Sequence, residues 1–246
     1  MIAAAERLVA ALPSDERIAE VSIAGPGFIN FRLAAKYQVE LMLDLLAPDG
    51  ALAAIKTGGN KRINVESISA NPTGPLHVGF GRNVVLGDGI ANVLEAAGYD
   101  VQREYYVNDA GRQMDILGVS VCVRWLELQG ASVSFPQAGY RGEYIREIAA
   151  SVNTTGIEDV SAERLFEGLP QDAPDGDKEA HIEALIASAK REFGEDGFDR
   201  IRQQSLDSIR DDIEDDLAEF GVHYDRWFSE QSLTKSHRVD DALAVL

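Results

Sequence analysis

The order of apolar and polar residues in the first part of the chain predicts a helix, two strands and a second helix. Residues 2–12 have helical spacing, which ends at Pro13. The segment AEVSIAGPGFINFRLA alternates on both sides of Gly25-Pro26-Gly27, which predicts two strands joined by a turn. The segment KYQVELMLDLLAPDG then predicts a helix of about ten residues that ends at Pro48 and Gly50.

A strand, a helix and a second strand are predicted next. INVESIS, residues 63–69, has the pattern of a short buried strand with apolar residues Ile63, Val65 and Ile68. VQREYYV, residues 101–107, predicts another strand. The helix between them ends at Gly98 and has a predicted apolar stripe of Leu86, Ile90, Val93, Leu94 and Ala97. This order predicts a βαβ unit whose two strands are parallel and whose crossover is right-handed.

The remainder of the chain predicts a series of helices. They are expected over residues 112–130, 141–152, 178–193 and 198–222, with a surface loop over 168–178. The last of the four has its apolar stripe at Leu206, Ile209, Ile213, Leu217 and Phe220. The closing DDALAVL has the pattern of a further helix.

Composition limits the class of protein. The chain has 246 residues and a net charge of −18, which argues against nucleic-acid binding through the overall field but leaves a local basic face open. Between Glu195 and Glu219 there are ten acidic residues and three arginines, as expected for solvated helix faces. No apolar run approaches the roughly 20 residues of a membrane span, and no signal peptide is evident. Cys122 is the single cysteine, and its apolar surroundings predict a buried thiol in a cytoplasmic protein.

The segment from Ser69 to Gly81 lies where ligands bind in parallel sheets, between the carboxyl end of a strand and the start of a helix. The helix N-terminus suits a phosphate, and Gly79 and Gly81 allow close approach of the backbone. His77 could donate a hydrogen bond to a phosphate oxygen there. The glycine spacing fits neither the Walker pattern nor the dinucleotide fingerprint. A purely structural turn, with His77 as a cap, is the alternative.

This segment resembles a known family. SANPTGPLHVG is similar to the ATP-binding His-Ile-Gly-His signature of class I aminoacyl-tRNA synthetases. With the flanking LEAAGYDVQREYYVNDAGRQ, GYRGEYI and RWFSEQSL, the chain resembles bacterial arginyl-tRNA synthetase over nearly its whole length. The resemblance implies an α/β fold: residues 58–246 form the first half of a Rossmann-like catalytic domain with a helical insertion. Residues 1–57 form part of a small α+β N-terminal domain that contacts tRNA.

The family's functional residues map onto positions of this chain. The resemblance assigns His77, Gly79 and residue 80 to ATP. It assigns five residues to the binding of arginine: Glu66, Ser69, Asn71, Asp109 and Gln113. Asp109 and Gln113 could instead serve as a helix cap or a surface contact. It also implies arginine activation by ATP and transfer to tRNA(Arg), with Mg²⁺ on the ATP phosphates and no metal bound by protein side chains. The full-length enzyme is expected to be a cytoplasmic monomer.

Two departures from the family pattern affect the expected activity. Phe80 stands where the signature has a second histidine, and the loss of one such donor costs on the order of 3 kcal/mol. Its ring could stack on adenine or fill the turn. The family's lysine-rich loop and anticodon-binding domain do not occur in these residues, so we expect a part of a longer enzyme. The alternative is a non-catalytic module that binds nucleotide, tRNA or a protein partner. A third possibility, an unrelated nucleotide-binding domain, is discounted because it would make every motif match a coincidence.

Overall fold

The chain divides into two units in a computed structural model that describes residues 1–47, 56–153, 155–157 and 159–245. The first unit comprises Met1–Lys61 and Val93–Asp100, and the second comprises Arg62–Asn92 and Val101–Leu246. The domain boundary predicted after residue 57 stays a prediction. None of the described helices is long and apolar enough to cross a membrane.

The first unit contains the predicted helices and strand pair. Its elements are α1 (Ile2–Ala10), β1 (Ile18–Ala24), β2 (Phe28–Leu33) and α2 (Ala35–Leu46). The two strands pair in antiparallel fashion, and Gly25 and Gly27 take the positive φ angles of 53° and 125° that their turn requires. The predicted stops of α2, Pro48 and Gly50, lie outside the described residues. No residue of α2 is buried.

The second unit is built on a three-stranded sheet. Its strands are β3 (Arg62–Glu66), β4 (Asp100–Val107) and β5 (Arg226–Ser229), in the order β3-β4-β5. β4 and β5 are parallel. The Asp100 N–H donates to the Lys61 carbonyl near the start of β3, and the Ser67 N–H donates to the Glu104 carbonyl just past its end. β3 and β4 therefore also run in the same direction, as predicted.

β3 is shorter than the strand predicted over residues 63–69. It ends at Glu66, because Ile68 and Ser69 have φ angles of 68° and 43°, in the left-handed region that a strand cannot contain. Ile63, Val65 and Ile68 are half-buried, whereas a buried strand was predicted.

The helix between β3 and β4, α3 (Val78–Ala96), buries a different face from the predicted one. Its buried residues are Val84, Gly87 and Ala91, whereas Leu86 is 57% and Val93 is 69% exposed. A Cβ atom at Gly87 would lie 2.3 Å from Ser67 Oγ, so small residues bring the helix against the end of β3. The larger apolar residues consequently point outward.

Most of the second unit is helical. The helices are α4 (Arg112–Leu128), α5 (Glu143–Ser151), α6 (Ala162–Phe166), α7 (Lys178–Phe193), α8 (Glu195–Glu219), α9 (Gln231–Lys235) and α10 (Arg238–Leu243). α4 is mostly buried between Met114 and Leu126 and packs against α5, α7 and α8. The predicted helices are confirmed, but α8 begins before Phe198, and Phe220 is 62% exposed instead of belonging to the buried stripe. β5 was not predicted.

Candidate active site

The turn after β3 is held in a strained conformation by Tyr105. The Tyr105 hydroxyl receives a hydrogen bond from the Ala70 N–H at 3.1 Å and lies 3.2 Å from the Ala70 carbonyl, to which it donates. Burial raises the pKa of Tyr105 to about 12, so the hydroxyl keeps its proton at neutral pH. A β-branched residue such as Ile68 is costly at positive φ, and backbone strain of this kind is concentrated at functional sites.

Three of the predicted amino-acid-binding residues lie on this turn and at the end of β3. The Ser69 hydroxyl donates to Glu66 Oε1 at 2.7 Å and accepts from the Tyr106 N–H at 3.1 Å. The Ser69 hydroxyl, which is held by the Tyr106 N–H of β4, therefore orients the Glu66 carboxylate. The Asn71 side-chain oxygen accepts from the Asn108 amide at 3.0 Å, which fixes its orientation as well.

A glutamate that was not predicted, Glu230, lies at the same edge of the sheet. The pKa of the Tyr106 hydroxyl is raised by burial, by the charge and hydrogen bond of Glu230, and by the charges of Asp109 and Glu66. One carboxylate near each of the three strand ends therefore acts on the Tyr106 hydroxyl. Glu230 directly follows β5, and recognition of that strand would have placed it at this edge by the rule that ligands bind at the carboxyl ends of parallel strands.

Asp109 is buried, and both oxygens of its carboxylate accept hydrogen bonds within the protein. Its two oxygens accept hydrogen bonds from the Ser229 hydroxyl at 2.5 Å and from the Gln231 N–H at 2.8 Å. It thus joins the end of β4 to the end of β5 and the start of α9, which corresponds to the capping alternative. Gln113 is exposed in the first turn of α4 and makes no hydrogen bond to another predicted site residue in the described part of the chain.

The predicted ATP-binding residues lie at the start of α3. The Gly79 N–H donates to His77 Nδ1 at 3.1 Å, so the proton of the neutral imidazole is on Nε2. The Phe80 ring packs against the imidazole with ring centroids 4.2 Å apart, and Phe80 also packs against the core. Phe80 therefore fills the turn and supports His77. Among the described residues, no group of three or more His, Cys, Asp or Glu could hold a metal ion.

Comparisons with family models give two matches. Residues 2–33 match the N-terminal domain of arginyl-tRNA synthetase, and residues 42–133 match the catalytic domain of class I (R) tRNA synthetases. The second match contains Glu66, His77 and Asp109.

Comparisons with individual proteins agree. The chain is 47% identical over 245 residues to the arginine–tRNA ligase of Thioalkalivibrio sulfidiphilus and 46% identical to that of Legionella pneumophila strain Corby, in each case over 98% of its length. It spans about two fifths (42%) of the length of these relatives. The structure of Thermus thermophilus arginyl-tRNA synthetase matches 98% of the chain with a TM-score of 0.51 and 25% identity, over 34% of that protein.

Proposed function

Since the chain belongs to the arginyl-tRNA synthetase family and corresponds to the N-terminal portion of its members, we propose that it contributes the amino-acid and ATP sites of an arginine–tRNA ligase. The observation that supports this function best is the carboxylate cluster of Glu66 and Glu230 beside the signature turn, residues 67–77. Glu66 and Glu230 lie around Tyr106 at the carboxyl ends of the strands, and His77 opens the next helix in the same unit.

The acidic side of the site suits a cationic amino acid. Glu66, oriented by Ser69, offers its second carboxylate oxygen to a guanidinium or ammonium group. Glu230 supplies a second carboxylate, and Asn71 keeps its amide N–H groups available to the substrate. A planar guanidinium has five donors in a fixed arrangement, so it can use several carboxylate oxygens at once, whereas a lysine ammonium acts as a point charge.

The other side of the site suits ATP. With Nδ1 engaged by Gly79, His77 presents its Nε2 proton to a phosphate oxygen. The N-terminus of α3 adds the positive end of the helix dipole. Mg²⁺ would be bound by the ATP phosphates rather than by a cluster of protein side chains. Phe80 would contribute packing and no hydrogen bond.

The proposed reaction follows from this arrangement. A carboxylate oxygen of arginine attacks the α-phosphate of ATP, an oxygen–phosphorus bond forms, and pyrophosphate leaves with the electrons of the broken bond. A hydroxyl of the terminal ribose of tRNA(Arg) then attacks the arginyl carbonyl carbon, a new ester bond forms, and AMP leaves with the electrons of the broken carbon–oxygen bond. His77 and the α3 N-terminus stabilise charge on the phosphates, and the remaining rate enhancement comes from holding the two substrates in line. We expect the complete enzyme to act as a monomer in the cytoplasm.

A second candidate function is supported by Phe80. A phenylalanine cannot donate to a phosphate, so a transition-state contact is missing and a non-catalytic module that binds nucleotide, tRNA or a protein partner is the alternative.

Arginine-dependent exchange between ATP and pyrophosphate, with tRNA(Arg) present, separates the two functions. We expect exchange that depends on arginine and that Phe80→His increases by about a hundredfold, the usual value of one such donor. A folded sample without exchange in either form would instead support the non-catalytic module.

A further inference from the structure

The motif GYRGEYI, residues 139–145, contacts the middle of the signature turn. The Tyr144 hydroxyl donates to the Thr73 carbonyl at 2.7 Å. The Tyr140 hydroxyl lies near the Thr73 side chain, which acts to lower the pKa that burial raises. Thr73 lies between Asn71 and His77, which belong to the proposed amino-acid and ATP sides respectively. The helical insertion therefore holds the turn where its two functions meet.

Two glycines allow the Tyr144 ring to reach this position. A Cβ atom at Gly142 would lie 2.1 Å from Tyr144 Cε1, so only glycine permits the ring to fold back over the start of α5. A Cβ atom at Gly74 would lie 3.0 Å from the Tyr144 hydroxyl oxygen, which is closer than most real Cβ contacts. The ring is thus in close contact with the backbone of both its own segment and the turn.

The two tyrosines are themselves anchored in the core. Ile145 and Ile148, on the same helix as Tyr144, are buried where α5 packs against α4. The Tyr140 N–H donates to the hydroxyl of buried Ser120 at 3.0 Å. Burial raises the pKa of both tyrosines, so each hydroxyl keeps its proton at neutral pH.

We propose that Tyr144, assisted by Tyr140, is a positioning residue that sets the spacing between the amino-acid and ATP sides of the site. It contacts neither substrate and acts through the backbone at Thr73 and Gly74. This inference depends on the proposed function, because it assumes that Asn71 and His77 contact the two substrates.

Tyr144→Phe tests this role with three ligands measured by calorimetry: arginine, ATP, and a non-hydrolysable arginyl-adenylate analogue that joins the two. Arginine or ATP alone can adapt to a looser turn. The adenylate analogue must contact the amino-acid and ATP sides of the site at the same time, so its affinity depends on their spacing. We expect the affinities for arginine and ATP to change by less than about twofold and that for the analogue to fall about fivefold to tenfold, the effect of one hydrogen bond. Tyr99→Phe is the control, because the Tyr99 hydroxyl has no hydrogen bond to a described residue, and it should leave all three affinities unchanged.

Amide hydrogen exchange on the unliganded chain provides a second test that needs no ligand. In Tyr144→Phe the amides of residues 73–80 should exchange several times faster, while those of α4 and α5 stay unchanged. Equal losses for all three ligands, or unchanged exchange in the turn, would overturn the positioning role. A wild-type chain that binds none of the ligands would contradict the proposed function, and the exchange experiment would then decide the mechanical role of Tyr144 by itself.

Discussion

Removal of one hydroxyl, in Tyr105→Phe, should destabilise the second unit substantially. Tyr105 is 1% exposed and its hydroxyl bonds to both the N–H and the carbonyl of Ala70, which is itself 5% exposed. Phenylalanine would leave two buried backbone groups without partners, and each such group costs about 1–3 kcal/mol. With two such groups, we expect the free energy of unfolding to fall by at least about 2–3 kcal/mol.

The pH dependence of stability gives an independent value for the contribution of the Tyr105 hydroxyl to the free energy of unfolding. The pKa of Tyr105 is raised from 10.0 to about 12 in the folded chain, a difference equivalent to about 3 kcal/mol. A raised pKa stabilises the fold fully below the unfolded value of 10.0, and this contribution is lost as the pH rises through the folded value of about 12. The stability gap between wild type and Tyr105→Phe should therefore be constant up to about pH 10 and then narrow.

Urea unfolding followed by tryptophan fluorescence measures this gap. Trp227 stacks on Tyr105 with ring centroids 4.4 Å apart, so the signal reports the affected region. Tyr99→Phe serves as the control and should match wild type at every pH. A loss below about 0.5 kcal/mol at pH 7, or a gap that stays constant between pH 10 and 12, would refute the role assigned to the Tyr105 hydroxyl.

Three further predictions concern other parts of the second unit. Asp109→Asn should lower the free energy of unfolding by about 1–3 kcal/mol in urea titrations, because its carboxylate accepts two hydrogen bonds from the β5–α9 segment; an unchanged midpoint would contradict the capping role. Asp212→Asn should raise the melting temperature at pH 7, because burial and the charges of Asp216, Asp215 and Glu147 raise the pKa of Asp212 and so make its charged form unfavourable. That gain should shrink as the pH falls towards 3.8, and a gain that is independent of pH would refute this cause. Cys122 is fully buried and burial raises the pKa of its thiol, so a thiol reagent should modify it only in urea; rapid modification of the native chain would show that the surrounding core opens.

The parts of the fold that could be predicted from sequence are those with strong local patterns. α7 occupies the predicted residues 178–193 because its apolar stripe recurs over several turns. β5 has four residues, and its partner β4 is more than a hundred positions earlier, so no local pattern revealed it. The buried face of α3 was mispredicted because its interface depends on the small residue Gly87, and a hydrophobic pattern gives no weight to close packing by glycine.

The candidate site was predictable to a similar extent. The rule that ligands bind at the carboxyl ends of parallel strands indicated the turn from Ser69 to Gly81 and His77, whereas Glu66, Ser69 and Asn71 were assigned to arginine through the family resemblance. Positive φ at Ile68 and Ser69 could not be foreseen, because the Tyr105 hydroxyl that holds the turn comes from a different strand. Glu230 was missed together with β5, since a residue cannot be placed at the end of an unrecognised strand.

Calorimetric titration of arginine in the presence of ATP tests the central claim most directly. We predict that the chain binds arginine, that lysine binds more weakly, and that Glu66→Gln and Glu230→Gln each reduce arginine affinity about tenfold or more, the usual effect of a hydrogen bond to a charged group. Glu6→Gln, an exposed change on α1, should have no effect. Arginine binding that survives both site variants unchanged, or no binding by a folded wild-type chain, would contradict the assignment of this carboxylate cluster to the amino acid.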